Sequence, residues 1–108
     1  MSFFIELLRS IWNYIKRIFL KVVNFTRNIL SFFKDPNRLK KLKEDRNLIA
    51  VSIKDNYDKG NYNIVNCLFD RSNNTIVDTE NDALGIETEY LDRATANNFG
   101  DKDMIILA

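Results

Sequence analysis

Apolar residues recur through the first third of the chain with the α-helical period. At about 100° per residue, Ser2, Glu6, Arg9, Ser10, Asn13, Lys16, Arg17, Lys21, Asn24, Arg27, Asn28, Ser31 and Lys34 fall in one sector about 140° wide. Phe3, Phe4, Ile5, Leu7, Leu8, Ile11, Trp12, Tyr14, Ile15, Ile18, Phe19, Val22, Val23, Phe25, Ile29, Leu30, Phe32 and Phe33 fill the remaining ~220°. Only Leu20 and Thr26 land on the wrong side, and neither Gly nor Pro interrupts the run. The pattern predicts one long amphipathic helix from Ser2 to Lys34.

Asp35-Pro36 then reads as an N-cap followed by proline at the first helical position. A short second helix is expected to about Asp45, with Leu39 and Leu42 as its thin apolar side. From Asn47 the period changes to two. Ile49, Val51 and Ile53 alternate with small or polar residues and predict a strand. Asp55 to Asn61, with Gly60, has a turn composition. Tyr62 to Phe69 is a second strand with Val65, Cys67 and Phe69 on one face. Thr75 to Asp78 is a third, and Leu84 to Tyr90 a fourth, with Ile86 and Tyr90 inward and Glu87 and Glu89 outward. Asp92 caps a short helix, Arg93 to Phe99, which Gly100 closes. Met104 to Leu107 is a last apolar strand, expected to pair deep in the sheet. The fold class is therefore α+β. A long amphipathic helix occupies residues 1–34 and a basic connector helix 35–46. A small, mostly antiparallel sheet domain with one short helix occupies 47–108.

Length gives the helix its meaning. A rod of some 33 residues would be roughly 50 Å long. A globule built from the other 65 or so residues would have a radius of gyration of about 11 Å. Such a globule cannot cover the rod, so the helix is expected to need lipid, copies of itself, or another protein. The apolar face for that contact is read as Phe4, Leu8, Ile11, Trp12, Ile15, Ile18, Phe19, Val22, Ile29 and Phe33.

Charge sharpens the picture. The net charge is +1. Met1 to Lys43 nevertheless carries ten Lys/Arg against Glu6 and Asp35, or +8, and the rest carries six against thirteen Asp/Glu, or −7. Arg9, Lys16, Arg27 and Lys34 lie on one border of the polar sector, and Arg17 and Lys21 lie toward the other. Cations so placed can lay their methylenes on the apolar side and lift their charge into a headgroup layer. The segment resembles the lipid-binding amphipathic helices of peripheral membrane proteins. Its expected contacts with an anionic surface are Arg9, Lys16, Arg17, Lys21, Arg27 and Lys34, joined by Lys40 and Lys41. Charges recur too often for a lone membrane span. The start suits neither a signal peptide nor N-myristoylation.

Candidate chemistry is sparse. Histidine is absent, and Cys67 is the one cysteine. It sits mid-strand beside Val65 and Phe69, as a buried apolar group would. Asp78, Glu80, Asp82 and Glu89 loosely match a calcium loop, but Ala83 stands where the turn needs glycine. A solvated acidic loop is the simpler reading, and neither metal nor cofactor is expected. Glu87 and Glu89 read as an exposed strand face rather than an acid–base pair. No set of residues amounts to a reaction, so no enzyme is expected.

The leading expectation is a peripheral protein on the cytoplasmic face of a membrane. Its helix would lie in the interface, and its acidic domain would serve as a binding or adaptor module for an unidentified protein. One alternative is a self-assembling cytoplasmic protein whose helices form a bundle, filament or shell. Another is a membrane-disrupting effector. An anionic membrane surface and other copies of the chain are the expected partners. Nucleic acid is not, because the basic patch joins no recognised binding fold.

Overall fold

The computed structural model describes residues 3–58 and 61–107, and the expected rod is not present in it. Helix α1 spans only Phe3–Ile11 and ends in a 3₁₀ turn, Trp12–Tyr14. Ser2, its expected start, lies outside the described residues. Lys16–Val23 is a strand, β1. Residues 25–33 form α2, a π-helical stretch Phe25–Leu30 continued by the α-helical turn Ser31–Phe33. The longest extent of the molecule is 38 Å, shorter than the rod would have been alone.

The correction has a physical basis. Lys16–Val23 is rich in β-branched and aromatic residues, namely Ile18, Phe19, Val22 and Val23, which suit a pleated surface. At period two, Ile18 and Leu20 share one face and Arg17, Phe19 and Lys21 the other. The stretch therefore fits either element, and pairing in the sheet decides. Asn24 ends the strand with a reciprocal cap. Its side chain accepts from the Arg27 N–H at 2.8 Å, and its own N–H donates to Asn28 Oδ1 at 2.7 Å.

The remaining elements are α3 (Pro36–Glu44), β2 (Leu48–Asp58), β3 (Asn61–Asp70), β4 (Thr75–Val77), β5 (Ala83–Leu91), α4 (Arg93–Phe99) and β6 (Met104–Ile106). The strand order is β1-β5-β3-β2-β6, with β4 continuing beside β3 at Leu68–Asp70, where β5 has ended. The β1–β5 pair is parallel and the others are antiparallel, so the sheet is mixed. The chain is an α+β protein in which the N-terminal third supplies one of the six strands.

Two cores flank the sheet. On one face, Leu8 of α1 packs with Ile15, Val51, Ile53, Val65, Cys67, Phe69 and Ala83, and Phe4, Leu7, Ile11 and Trp12 press on that cluster. On the other, Phe25, Ile29, Phe32 and Phe33 of α2 pack with Val23, Ala50, Ile64, Leu68, Ile86 and Phe99 of α4, beside Leu42 of α3. The first face contains one buried carboxylate, Asp55, and the second the buried pair Ser52 and Asn66. The Ser52 hydroxyl donates to Asn66 Oδ1 at 2.8 Å, and Asn66 Nδ2 donates to the Asn28 carbonyl of α2 at 3.1 Å. The polar pair thus satisfies itself and helps seat α2.

Both expected caps form. Asp35 accepts from the N–H groups of Asn37 and Arg38 at 3.1 and 3.2 Å. Asp92 accepts from Thr95 N–H at 2.8 Å and also from Phe25 N–H at 3.1 Å, tying the starts of α4 and α2 together. Burial opposes ionisation of Asp92, but those bonds outweigh it and hold the carboxyl below the usual carboxylate range.

Other expectations are corrected. Residues 55–58 belong to β2, and Gly60, the expected turn glycine, lies outside the described residues. Tyr90 is exposed rather than inward. β6 is an edge strand, not a deeply paired one.

Gly85 marks where the N-terminal third meets the sheet. A Cβ there would lie 3.0 Å from Arg17 Cγ and Trp12 Cζ3 and 3.1 Å from Ile15 Cδ1. Gly85→Ala is therefore expected to cost about 1–3 kcal/mol through overpacking. Denaturant unfolding followed by the fluorescence of Trp12 would measure it, and an unchanged midpoint would refute this account of the contact.

Candidate interaction surface

The residues read from the sequence as one apolar face are now divided. Leu8, Ile15, Ile29 and Phe33 are buried, and Phe4, Ile11, Trp12 and Ile18 are half-buried against the two cores. Phe19 and Val22 remain exposed, at 60% and 48%. Both lie on β1, with Lys16, Arg17 and Lys21 exposed around them. Arg17 also stands 5.9 Å above the Trp12 ring. Tyr14 is exposed just before the strand, Arg27 is exposed on α2, and Lys34 is exposed just after it.

Three of the cations expected to face an anionic surface meet acidic partners within the chain instead. Arg9 forks onto the buried Asp55, with Nε 2.8 Å from Oδ2 and Nη2 3.3 Å from Oδ1. Lys41 binds the buried Asp82 and lies 3.7 Å from Asp78. The hydrogen bond to Asp82 is the main reason the Lys41 pKa is raised. Lys40 pairs loosely with Glu44 at 3.9 Å.

Arg38, which sequence reasoning passed over, completes the cluster around Asp82. Its planar head lies 3.7 Å over the Phe32 ring and donates to the carbonyls of Phe32 and Asn81 at 3.0 and 2.8 Å. Its Nε is 3.3 Å from Asp82 Oδ1, though poorly aimed for a hydrogen bond. An Arg three residues after an Asp-Pro cap, at the foot of a basic helix, was the available signal.

The acidic loop 78–82 is thus an anchor for α3. Asp78 has φ +47°, and its carboxylate accepts from Asn81 N–H and Nδ2, each at 3.2 Å. Those Asn81 bonds, chiefly the side-chain one, lower its pKa. Glu80 and Glu89 do not join Asp78 and Asp82 in one cluster. Among the described residues no group of three or more Cys, Asp or Glu side chains is arranged to hold a metal. A groove of about 580 Å³ between α3 and this loop is lined by these paired charges. A smaller hollow of about 190 Å³ lies below the end of α1, between Trp12, Asn13 and Asn63, with the Arg9 fork at its side.

Backbone geometry adds to the picture at the sheet edges. The Leu107 N–H donates to Ala50 O and the Lys54 N–H to Asp103 O, so residues 103, 105 and 107 bond inward to β2. Met104 and Ile106, on the α1 side of the sheet, therefore turn their N–H and C=O groups outward. Side-chain face and backbone direction alternate together along a strand. β1 runs opposite to β6 at the other edge, so its α1-side residues Arg17 and Phe19 also bond outward. The pattern changes near Lys21, whose carbonyl faces the Thr88 hydroxyl at 3.3 Å, and Val23 returns to the core.

No protein-family model, no curated protein and no solved structure matches this chain.

Cys67 is fully buried, and burial pushes its thiol up to about 12. Native protein at neutral pH is expected to resist iodoacetamide, with labelling only as fast as the chain unfolds. Rapid native labelling would contradict that burial. Asp82→Asn strands Arg38 and Lys41, and a loss of about 2 kcal/mol is expected in chemical denaturation, less than for a fully dry pair because Lys41 is partly exposed. The more exposed Asp78→Asn should cost under about 1 kcal/mol. Equal costs would mean that Asp82 does not carry the cluster.

Proposed function

We propose that this chain is a non-catalytic interaction module that accepts an extended partner segment along β1. One observation carries the reading. β1 is an eight-residue edge with no strand on its outer side among the described residues, and it exposes Phe19 and Val22 among Lys16, Arg17 and Lys21. Outward backbone groups offer hydrogen bonds, the apolar side chains offer area, and the cations set the sign of the partner. Lysines on an edge ordinarily discourage indiscriminate pairing. Against an acidic segment the same charges attract.

Attachment to an anionic membrane would use the same cations together with Tyr14, Arg27 and Lys34. It no longer has a continuous apolar helix face behind it, because most of those side chains belong to the two cores. The edge-docking reading is therefore preferred, and the test separates the two.

A fluorescein-labelled octapeptide alternating Glu and Val is expected to bind the full chain, more weakly as salt rises. Phe19→Pro removes an outward N–H at an edge position where proline is tolerated. It is expected to weaken binding at least tenfold while the unfolding midpoint changes little. Vesicles of phosphatidylserine and phosphatidylcholine should not carry the protein upward in a flotation gradient. Peptide binding that is equal in both proteins would overturn the proposal. So would flotation that disappears in a Lys16, Arg17 and Lys21 triple alanine variant without any peptide binding.

A further inference from the structure

We infer that the strand taken up by β1 is β6 of a second copy, so that copies add edge to edge, head to tail, as one continued sheet. The inference rests on the edge-docking reading and names its partner. It begins from the strand directions. β1 and β5 are parallel, and the steps β5–β3, β3–β2 and β2–β6 are each antiparallel. β6 therefore runs opposite to β1. A second copy placed beside the first without being turned over brings its β6 against β1 in the antiparallel sense.

The pleat agrees with that placement. Arg17 and Phe19 at one edge and Met104 and Ile106 at the other bond outward, and both sets have their side chains on the α1 side. Pairing Phe19 with Ile106 then sets Leu20 opposite Ile105 and Ile18 opposite Leu107, so apolar side chains meet on both faces. Phe19 and Ile106 are among the most exposed large apolar residues, at 60% and 59%. Docking one against the other would remove both from water.

Charge favours this pairing over its rivals. In this register exposed Asp103 stands opposite Val22, next to exposed Lys21, while Lys16 and Arg17 lie toward the other end of β1. Two β1 strands paired antiparallel about Phe19 would set Arg17 of each copy directly opposite Lys21 of the other, a like-charge contact made twice. Two β6 strands would bring together the acidic approaches of both copies, with exposed Asp101 and Asp103 on each, and leave the β1 cations out of the contact. A β1–β6 contact uses different surfaces on the two copies and leaves one edge free on each end. The assembly is therefore open, and sheet twist would make it a helical filament.

Cross-linking tests this directly. In Phe19→Cys/Ile106→Cys, the two new thiols of one chain lie four strand spacings apart across the sheet, about 19 Å, and are offset along the strands as well. A disulfide spans at most about 7 Å between Cα atoms, so any bond between them must join two copies. Mild copper–phenanthroline oxidation of the folded protein is expected to give a ladder of dimers, trimers and larger species on a non-reducing gel. Each single variant should give dimers at most, with buried Cys67 taking no part. In parallel, sedimentation velocity of the unmodified chain should show association that grows with concentration and weakens with salt, and Ile106→Lys should abolish it.

A double variant that stops at dimers would refute the inference. So would Phe19→Cys alone dimerising as efficiently as the pair, or association that survives Ile106→Lys. If the Glu/Val octapeptide binds β1 but no ladder forms, the inference falls and the edge-docking reading stands. If neither occurs, both fall.

Discussion

Pairing of β1 with β5, from Lys16 opposite Leu84 to Val23 opposite Leu91, fixes the placement of the whole N-terminal third. The segment before it, α1, packs on one face of the sheet, and the segment after it, α2, packs on the other. A single strand inserted at the edge thus delivers a helix to each face and closes both cores. Gly85 is the local condition for it. Trp12, Ile15 and Arg17 crowd the position where a side chain would stand, so the backbone of β5 must be bare there. Asp92, which bonds the first N–H of α2 and caps α4, secures the far end of the same pair.

The same insertion changes the meaning of the charge split. Ten cations up to Lys43 and thirteen acids from Glu44 onward look, along the chain, like two bodies of opposite sign. In the fold they meet. Asp55 takes Arg9, and Asp82 takes Arg38 and Lys41. These carboxylates are buried and their partners reach them from helices that cover the sheet, so each contact locates a helix as well as neutralising a charge. The cations of β1 and α2 face solvent instead. The opposite charges of the two halves are thus in part satisfied within one chain.

Legibility followed the same division. After Asn47 the alternation of Ile49, Val51 and Ile53 and of Val65, Cys67 and Phe69 named the strands and the face they bury. The Asp35 and Asp92 caps marked two helix starts correctly. The first 34 residues misled because helix, edge strand and helix, each rich in apolar residues, reproduce a wide apolar arc when wound at one period. Nothing in periodicity alone rejects that arc. Its width was the warning, since a helix packing on one side needs only about 100°. Val22-Val23, the cap at Asn24 and the mid-strand glycine at 85 were local signs of a break. The cations of β1 were legible as exposed residues, but their place on a sheet edge was not, because the parallel partner lies 68 positions away in sequence.

An open edge follows from the topology itself. β3 is bordered by β2 on one side and by β5 and β4 on the other, and every helix is committed to a face. No element among the described residues remains to cover β1. Adjacent strands rotate by roughly 20° on average, so a sheet five strands wide twists without closing, and two edges are unavoidable. A chain in this position can shorten an edge or charge it. β6 is short. β1, which must be long enough to carry α1 and α2 to opposite faces, is charged instead. The length that organises the fold is therefore also the length that leaves a row of unpaired backbone groups at an edge, and its exposed cations stand where a covering element would otherwise be needed.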